Sequence, residues 1–278
     1  MPECRERRES KASLPFRHSR HSAFAAFLFY PPPVIVRPDG DSWLLIRQPD
    51  HAAMAADLLS HWQADGLPDR ETRAVLLDAT REHDCGWADE DDAPSIDPES
   101  GAPWDFIHLA VERRQAVWVR AMHLLAERPL VAALVAHHAV TAYARYDGDP
   151  AWRAFFAIMS QERDSRVAAL GTRGTGVTFD SFLKDYASLR AADLISLALC
   201  HGWEDRFELD YYRGVPDGST LTLMPDPFAG ATVSWRVPAR RIPKRPYASD
   251  DDLRNAFAAA AIEWLTGQVQ GRPEPLPS

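Results

Sequence analysis

The chain contains histidine and aspartate residues, and both residue types commonly bind metal ions. His83 and Asp84 are adjacent, end a stretch with helical periodicity and are followed by Gly86. Imidazole and carboxylate together suit Fe, Mn, Zn or Ni, whereas oxygen ligands alone suit Mg or Ca. We interpret seven residues, far apart in the sequence, as candidate ligands of one buried metal site: His51, His83, Asp84, His108, His137, His138 and Asp193.

Asp193 is the most informative candidate because it interrupts an apolar row. Leu189, Asp193 and Leu197 are four residues apart in a stretch, 178–200, that predicts a helix. An ionised carboxylate without a partner in such a row costs several kcal/mol. We therefore expect a compensating group, which is either Arg190, one turn away, or a metal ion.

Further helices are predicted to carry the other candidates inward. His51 begins a helix that extends to about Gln63, and a second helix spans residues 70–83. His83 continues the apolar face of this second helix, because Leu76 and Ala79 precede it at helical spacing. Inward-pointing side chains of this kind are how helical bundles build metal sites.

A third ligand-bearing helix is predicted from Leu130 to about Tyr146. It is apolar nearly all round, so we expect it to be central. Its periodicity leaves open whether His137 or His138 points into the site. His108 lies where another helix, residues 112–127, is about to begin, and a long helix is predicted over 150–170.

Short β-rich runs flank this helical region. Asp39 and Gly40 separate two apolar runs within residues 34–46, which predicts a hairpin. Residues of about 204–240 alternate like short strands, and a final helix is predicted over about 251–267. The expected fold is mainly α: a helical bundle with a small antiparallel β-layer from the N-terminal hairpin and the C-terminal strands. Residues 34–270 should form a single domain, and the basic, proline-rich residues 1–33 a disordered tail.

Composition excludes several classes of function. The 278-residue chain has a net charge of -9 and a pI near 5.6, which argues against a nucleic-acid partner. No apolar run approaches the roughly 20 residues of a membrane span. Three scattered cysteines, of which Cys85 is interpreted as a small buried residue, suit a reducing cytoplasm. We expect a cytoplasmic protein whose partner is a small-molecule substrate.

Other polar residues near the candidate site are interpreted as follows. Residues 89–92 are all acidic and are expected to form a solvated rim rather than a metal cluster. Candidates for binding the substrate, including a phosphate group, are Arg81, Lys184 and Arg190. Trp87 either lines the substrate pocket or packs in the core.

The order of the candidates, H…HD…H…D, resembles the HD-domain superfamily of metal-dependent phosphohydrolases. That resemblance implies an HD-like helical domain in which His51, His83, Asp84 and Asp193 bind a first metal ion. It further implies that Asp84 bridges to a second ion, held by His108 and by His137 or His138. One or two divalent ions are therefore expected, with His83 and Asp84 at the catalytic centre.

A closer resemblance is to a bacterial family catalogued as domain of unknown function 3891 (DUF3891). It covers the chain from about Val34 to the C-terminal helix, and its pattern favours His138 over His137. The motifs that carry it are Gln48-Pro49-Asp50-His51-Ala52, Glu82-His83-Asp84-Cys85-Gly86-Trp87, Leu134-Val135-Ala136-His137-His138 and Ala192-Asp193-Leu194-Ile195-Ser196-Leu197.

The expected function is metal-dependent hydrolysis of a small phosphate ester or phosphodiester. Metal ions lower the pKa of bound water and clamp phosphate oxygens, which suits this reaction. The resemblance also leaves open a mixed-valent di-iron oxygenase of the inositol-oxygenase type. A third possibility is an HD-like protein that binds a ligand without turning it over.

Overall fold

The computed structural model describes residues 34–104, 110–209 and 211–273, so the predicted N-terminal tail lies outside the described residues. The predicted helices are present with shifted ends, and none of the described helices is long and apolar enough to cross a membrane. The α-helices are α1 (Gln48–Ser60), α2 (Arg73–Glu82), α3 (Ala88–Asp92), α4 (Val111–Leu124), α5 (Pro129–Ala142), α6 (Arg153–Thr172), α7 (Phe179–His201) and α8 (Asp250–Ala259).

The described strands form one seven-stranded sheet in the order β1-β2-β6-β7-β5-β4-β3. All neighbours are antiparallel except β5 and β7, which run parallel. The strands are β1 (Val34–Asp39), β2 (Ser42–Arg47), β3 (Phe207–Leu209), β4 (Tyr212–Asp217), β5 (Thr220–Met224), β6 (Thr232–Pro243) and β7 (Ile262–Gly271).

The prediction of a mainly α, HD-like bundle with a small antiparallel β-layer is therefore wrong. About half of the described structure is helical, and the strands form a curled, mixed sheet that resembles half a barrel. The predicted final helix over 251–267 ends at Ala259, and the chain turns to extended backbone at Ala260. The strand that follows, β7, lies between β6 and β5. It therefore joins the N-terminal hairpin and the C-terminal strands into a single sheet.

Four helices pack against one another and carry the candidate ligands. α1 contacts α2 and α7, while α2 also contacts α5 and α7. α5 is buried on nearly all sides, as its apolar sequence predicts. The sheet covers this group, since β2 and β6 lie against α1 and β1 lies against α7. Ile35, Leu44 and Ile46 of the sheet share one hydrophobic core with the helices.

Candidate metal centre

Five of the candidate ligands meet at one point between α1, α2, α5 and α7. His51 and His83 are 0% exposed and Asp84 is 1% exposed, so these three side chains are sealed from solvent. Asp193 and His138 are 4% and 6% exposed, so they too are buried but are the least buried of the five. The imidazole rings of His51 and His138 each lie edge-on to the ring of His83, with centroids 5.1 and 5.0 Å away.

The turn after α2 places His83 and Asp84 in this cluster. α2 ends at Glu82, and a short 3-10 turn over 85–87 redirects the chain at once. Gly86 allows the turn to lie directly against α4, because a Cβ atom there would be 1.9 Å from the Val117 carbonyl oxygen. Arg120 of α4 donates a hydrogen bond of 2.5 Å to the Gly86 carbonyl oxygen. The glycine is thus required by the close approach of two backbones.

His51 is held in one tautomer by a buried serine. The Ser196 hydroxyl donates to the Asp193 carbonyl oxygen at 2.8 Å, so its oxygen accepts from His51 Nδ1, also at 2.8 Å. A proton on Nδ1 leaves the lone pair of the neutral ring on Nε2. That Nε2 lies 2.9 Å from Asp84 Oδ2, and the lone pair faces a carboxylate.

His83 repeats this arrangement with a backbone acceptor. Its Nδ1 donates to the Thr80 carbonyl oxygen at 2.7 Å, which places the lone pair of the neutral ring on Nε2. His83 Nε2 lies 3.3 Å from Asp84 Oδ2 and 3.2 Å from Asp193 Oδ1. His83 Nε2, Asp84 Oδ1 and Asp193 Oδ1 are buried, and no described residue forms a hydrogen bond with any of these atoms.

The electrostatics of the cluster call for a cation at its centre. Burial alone would lower the pKa of His83, but Asp84 and Asp193 raise it well above its usual value. Burial would likewise raise the pKa of both carboxyl groups, yet His83 and the other histidines hold these pKa values below the usual range. Two neutral imidazoles facing two carboxylates are stable only when a proton or a metal ion lies between them.

This donor set fits a divalent transition metal ion. Metal-binding histidines usually donate their second ring N–H to a carbonyl or another acceptor, which is what His51 and His83 do here. Two groups of residues bring ligand atoms within 4.8 Å of one another: His51, His83 and Asp193, and His83, Asp84 and His138. The two groups share His83. The described residues therefore outline one cluster that could hold a metal ion.

His138 lies on the exposed side of this site. Its Nε2 atom is 3.9 Å from Asp193 Oδ2, and its Nδ1 atom is 3.4 Å from the Tyr186 hydroxyl. The indole of Trp118 lies 5.7 Å from the imidazole, centroid to centroid. Burial lowers the pKa of His138 to about 4, which leaves the ring neutral at physiological pH.

His137 is not brought to the cluster, although the sequence allowed it. Its Nδ1 atom lies 3.2 Å from Arg163 Nη1, and its ring packs against Tyr186 with a centroid distance of 4.3 Å. It belongs to neither group of potential ligands. His108 lies outside the described residues.

The predicted substrate-binding residues are scattered. Arg81 is exposed on α2. Lys184 is exposed on α7 and lines a cavity of about 720 Å³ beside Trp62. None of the candidate metal ligands lines this cavity. Arg190 is half-buried on α7. Trp87 is 1% exposed and packs in the hydrophobic core.

Sequence reasoning missed two polar residues next to the site. Ser196 follows Asp193 by three residues on the same apolar face of α7, so its position was a usable signal. Asp91 was expected in a solvated rim, but it is 0% exposed. Its Oδ2 atom accepts from the backbone N–H of Gln48 at 2.7 Å, which caps the helix that carries His51.

Replacing Ser196 by alanine is expected to weaken metal binding by about 10- to 100-fold. The substitution removes the acceptor that holds His51 in its Nδ1–H tautomer. The affinity of the metal-free protein for Mn²⁺ or Zn²⁺, measured by competition with a chelator, tests this. Ser188→Ala, also on α7, is the control and should bind the ion as the parent does. Equal affinity in both variants would show that Ser196 does not orient His51.

Residues 34–244 match the sequence model of a family described as "Protein of unknown function (DUF3891)". No curated protein and no solved structure matches the chain.

Proposed function

The chain belongs to the DUF3891 family, and we propose from its site that it is a metal-dependent hydrolase. The substrate class is a small phosphate ester or phosphodiester. One divalent Fe, Mn, Zn or Ni ion is bound by His51, His83, Asp84 and Asp193, with His138 as the ligand on the exposed side.

One observation carries this proposal. Two buried imidazoles have their Nδ1–H groups engaged by acceptors, and their Nε2 lone pairs face two buried carboxylates. Without a proton or a metal ion between them, these acceptors would face one another at a cost in free energy. A bound divalent ion satisfies all of them and supplies a nucleophile by lowering the pKa of a bound water.

The surrounding residues determine how a substrate reaches the site. Asp193 and His138 are the least buried members of the cluster, so we expect a substrate to approach from their side. His138 is neutral there, which leaves a lone pair for the ion, and the Tyr186 hydroxyl next to Nδ1 orients its ring. Cys85 does not serve as a nucleophile, because burial raises the pKa of its thiol to about 12.

The phosphate-ester class rests on the order of the ligands along the chain. His, His-Asp and Asp on successive helices resemble the ligand order of HD-type phosphohydrolases, although the fold around them differs. A di-iron oxygenase of the inositol-oxygenase type remains the second candidate, because its ligands are also histidines and aspartates.

Turnover by the metal-loaded protein tests the proposal. Metal-free protein is reconstituted with Mn²⁺, Fe²⁺, Zn²⁺ or Ni²⁺ and assayed with para-nitrophenyl phosphate and bis-para-nitrophenyl phosphate. We expect release of nitrophenol with at least one ion and none after addition of a chelator. Metal binding without turnover of either ester would instead support a non-catalytic, ligand-binding protein.

Metal binding is expected to release about one proton per ion at pH 7. In the metal-free protein the raised pKa of His83 keeps its ring protonated, and the ion must displace that proton. The affinity should therefore increase about tenfold per pH unit until the pH exceeds the pKa of His83. Calorimetric titrations in buffers of different ionisation enthalpy measure the released proton directly. A pH-independent affinity between pH 6 and 8 would contradict the assignment of His83.

The raised pKa of His83 also makes the stability of the metal-free protein depend on pH. A histidine whose pKa is raised on folding stabilises the fold below its unfolded pKa, and this stabilisation is lost as the pH rises through the folded pKa. Metal-free protein should lose thermal stability in alkaline solution, whereas the metal-loaded protein should not. Thermal unfolding followed by circular dichroism against pH provides the comparison.

A further inference from the structure

A second cavity lies at the far end of α7, away from the candidate metal centre. Its volume is about 610 Å³, within the range of small-molecule sites. It is bounded by β1, by the end of α7 and by the strands β5 to β7. Among its lining residues are Arg37, Gly202, Trp203, Trp235 and Trp264.

Arg37 gives this cavity a positive charge. Its side chain is half-buried and forms no ion pair or hydrogen bond with any described residue. The guanidinium lies against Gly202, where a Cβ atom would be only 2.4 Å from Arg37 Cζ. Gly202 ends α7 with a φ of 64°, so the positive charge also lies at the negative end of that helix. That placement leaves the five N–H donors of the guanidinium available to a ligand.

Tryptophan side chains supply flat apolar surface beside this charge. Trp235 lines the cavity from the inner face of β6, where its ring lies over Gly267. Trp203 is half-buried and packs edge-on against Phe207. Aromatic surface beside an unpaired arginine is typical of sites that bind a ring carrying an acidic group.

The acidic residues of the cavity lie at its rim. Glu204 and Asp217 line it but are exposed, so water screens their charges. Arg37 is half-buried and is therefore less screened. The cavity therefore favours an anion at the Arg37 end and tolerates polar groups at the mouth.

We propose that this cavity binds a small planar organic anion of about the size of a bicyclic aromatic carboxylate. The carboxylate pairs with the Arg37 guanidinium, and the ring packs on Trp203 and Trp235. The site is separate from the metal centre: Gly202 follows Asp193 by nine residues, which is about 13 Å along a helix. No candidate metal ligand lines the cavity.

Binding of 1-naphthoate to the full-length protein, measured by calorimetry in the presence of EDTA, tests this proposal. Removing metal excludes carboxylate binding at the metal centre, so the result is independent of the proposed hydrolase function. We expect saturable binding of one naphthoate per chain and at least tenfold weaker binding of 1-naphthamide, which has the same shape without the charge. Acetate, which lacks the ring, should not compete. Equal affinity for naphthoate and naphthamide, or no saturation by naphthoate, would overturn the proposal.

Variants locate the bound anion. Arg37→Gln and Trp203→Ala should each weaken naphthoate binding at least tenfold, and Arg37→Gln should also remove the preference over naphthamide. Arg236→Gln removes an arginine from the opposite face of the sheet, and Lys184→Gln removes the cation of the 720 Å³ cavity; both should bind as the parent does. Unchanged affinity in a folded Arg37→Gln variant, or loss of binding in Lys184→Gln, would refute this location. The naphthamide comparison on the parent protein requires no variant and stands if Arg37→Gln does not fold.

Discussion

Replacing Asp84 by asparagine is expected to weaken metal binding at least about 100-fold and to abolish metal-dependent turnover. Loss of a residue that merely orients a ligand costs 10- to 100-fold, and loss of a ligand costs no less. Asparagine removes the negative charge, and its amide can donate to His51 Nε2, which lies 2.9 Å from Asp84 Oδ2. In the metal-free variant, His51 Nε2 would then have a hydrogen-bond donor and would no longer need an ion.

Competition with a chelator measures the affinity of this variant, and release of nitrophenol measures its turnover. Asp89→Asn provides the matched control, because the Asp89 side chain is 74% exposed and lies in the acidic stretch after the site. The control should bind metal and turn over substrate like the parent protein. An Asp84→Asn variant with metal affinity within fivefold of the parent would contradict the ligand assignment.

Replacing Gly86 by alanine is expected to destabilise the fold by about 3 kcal/mol or more. The added methyl group would overlap the Val117 carbonyl oxygen, which is backbone and cannot rotate away. The turn and α4 must therefore separate, which also displaces Asp84. Chemical denaturation followed by circular dichroism measures the change in the free energy of unfolding.

Gly171→Ala is the control for this prediction. Gly171 lies in α6, and the nearest atom to an added Cβ would be 3.7 Å away, an ordinary contact. Alanine there should leave the stability unchanged or raise it by about 0.5–1 kcal/mol, because glycine is unfavourable in helices. If Gly86→Ala proved as stable as Gly171→Ala, the close approach of the turn to α4 would be wrong.

The ligand cluster was accessible from the sequence because it follows helical periodicity. A carboxylate in the apolar row of α7 and a histidine at the inward end of α2 both need partners, and residue type limits what those partners are. Periodicity could not decide between His137 and His138, although the resemblance to DUF3891 favoured His138. α5 is apolar on nearly all sides, so periodicity identifies no single inward face.

The sheet was underestimated because its central strand depends on distant pairing. Residues 256–261 include five alanines that extend the helical pattern of α8. The chain nevertheless becomes extended at Ala260, and β7 then pairs with β6 from Ile262 onward. Propensity is local and is readily overridden by such contacts. The burial of Asp91 in an acidic stretch has the same origin, since its partner is the start of α1, 43 residues away.

Anomalous diffraction from crystals of the metal-loaded protein tests the central claim most directly. Data collected at the absorption edge of the bound ion locate it without reference to activity. We predict one anomalous peak per chain, about 2.0–2.2 Å from both His51 Nε2 and His83 Nε2 and next to the Asp84 and Asp193 carboxylates. A fully loaded crystal with its peak elsewhere, or with no peak between these four side chains, would contradict the metal centre.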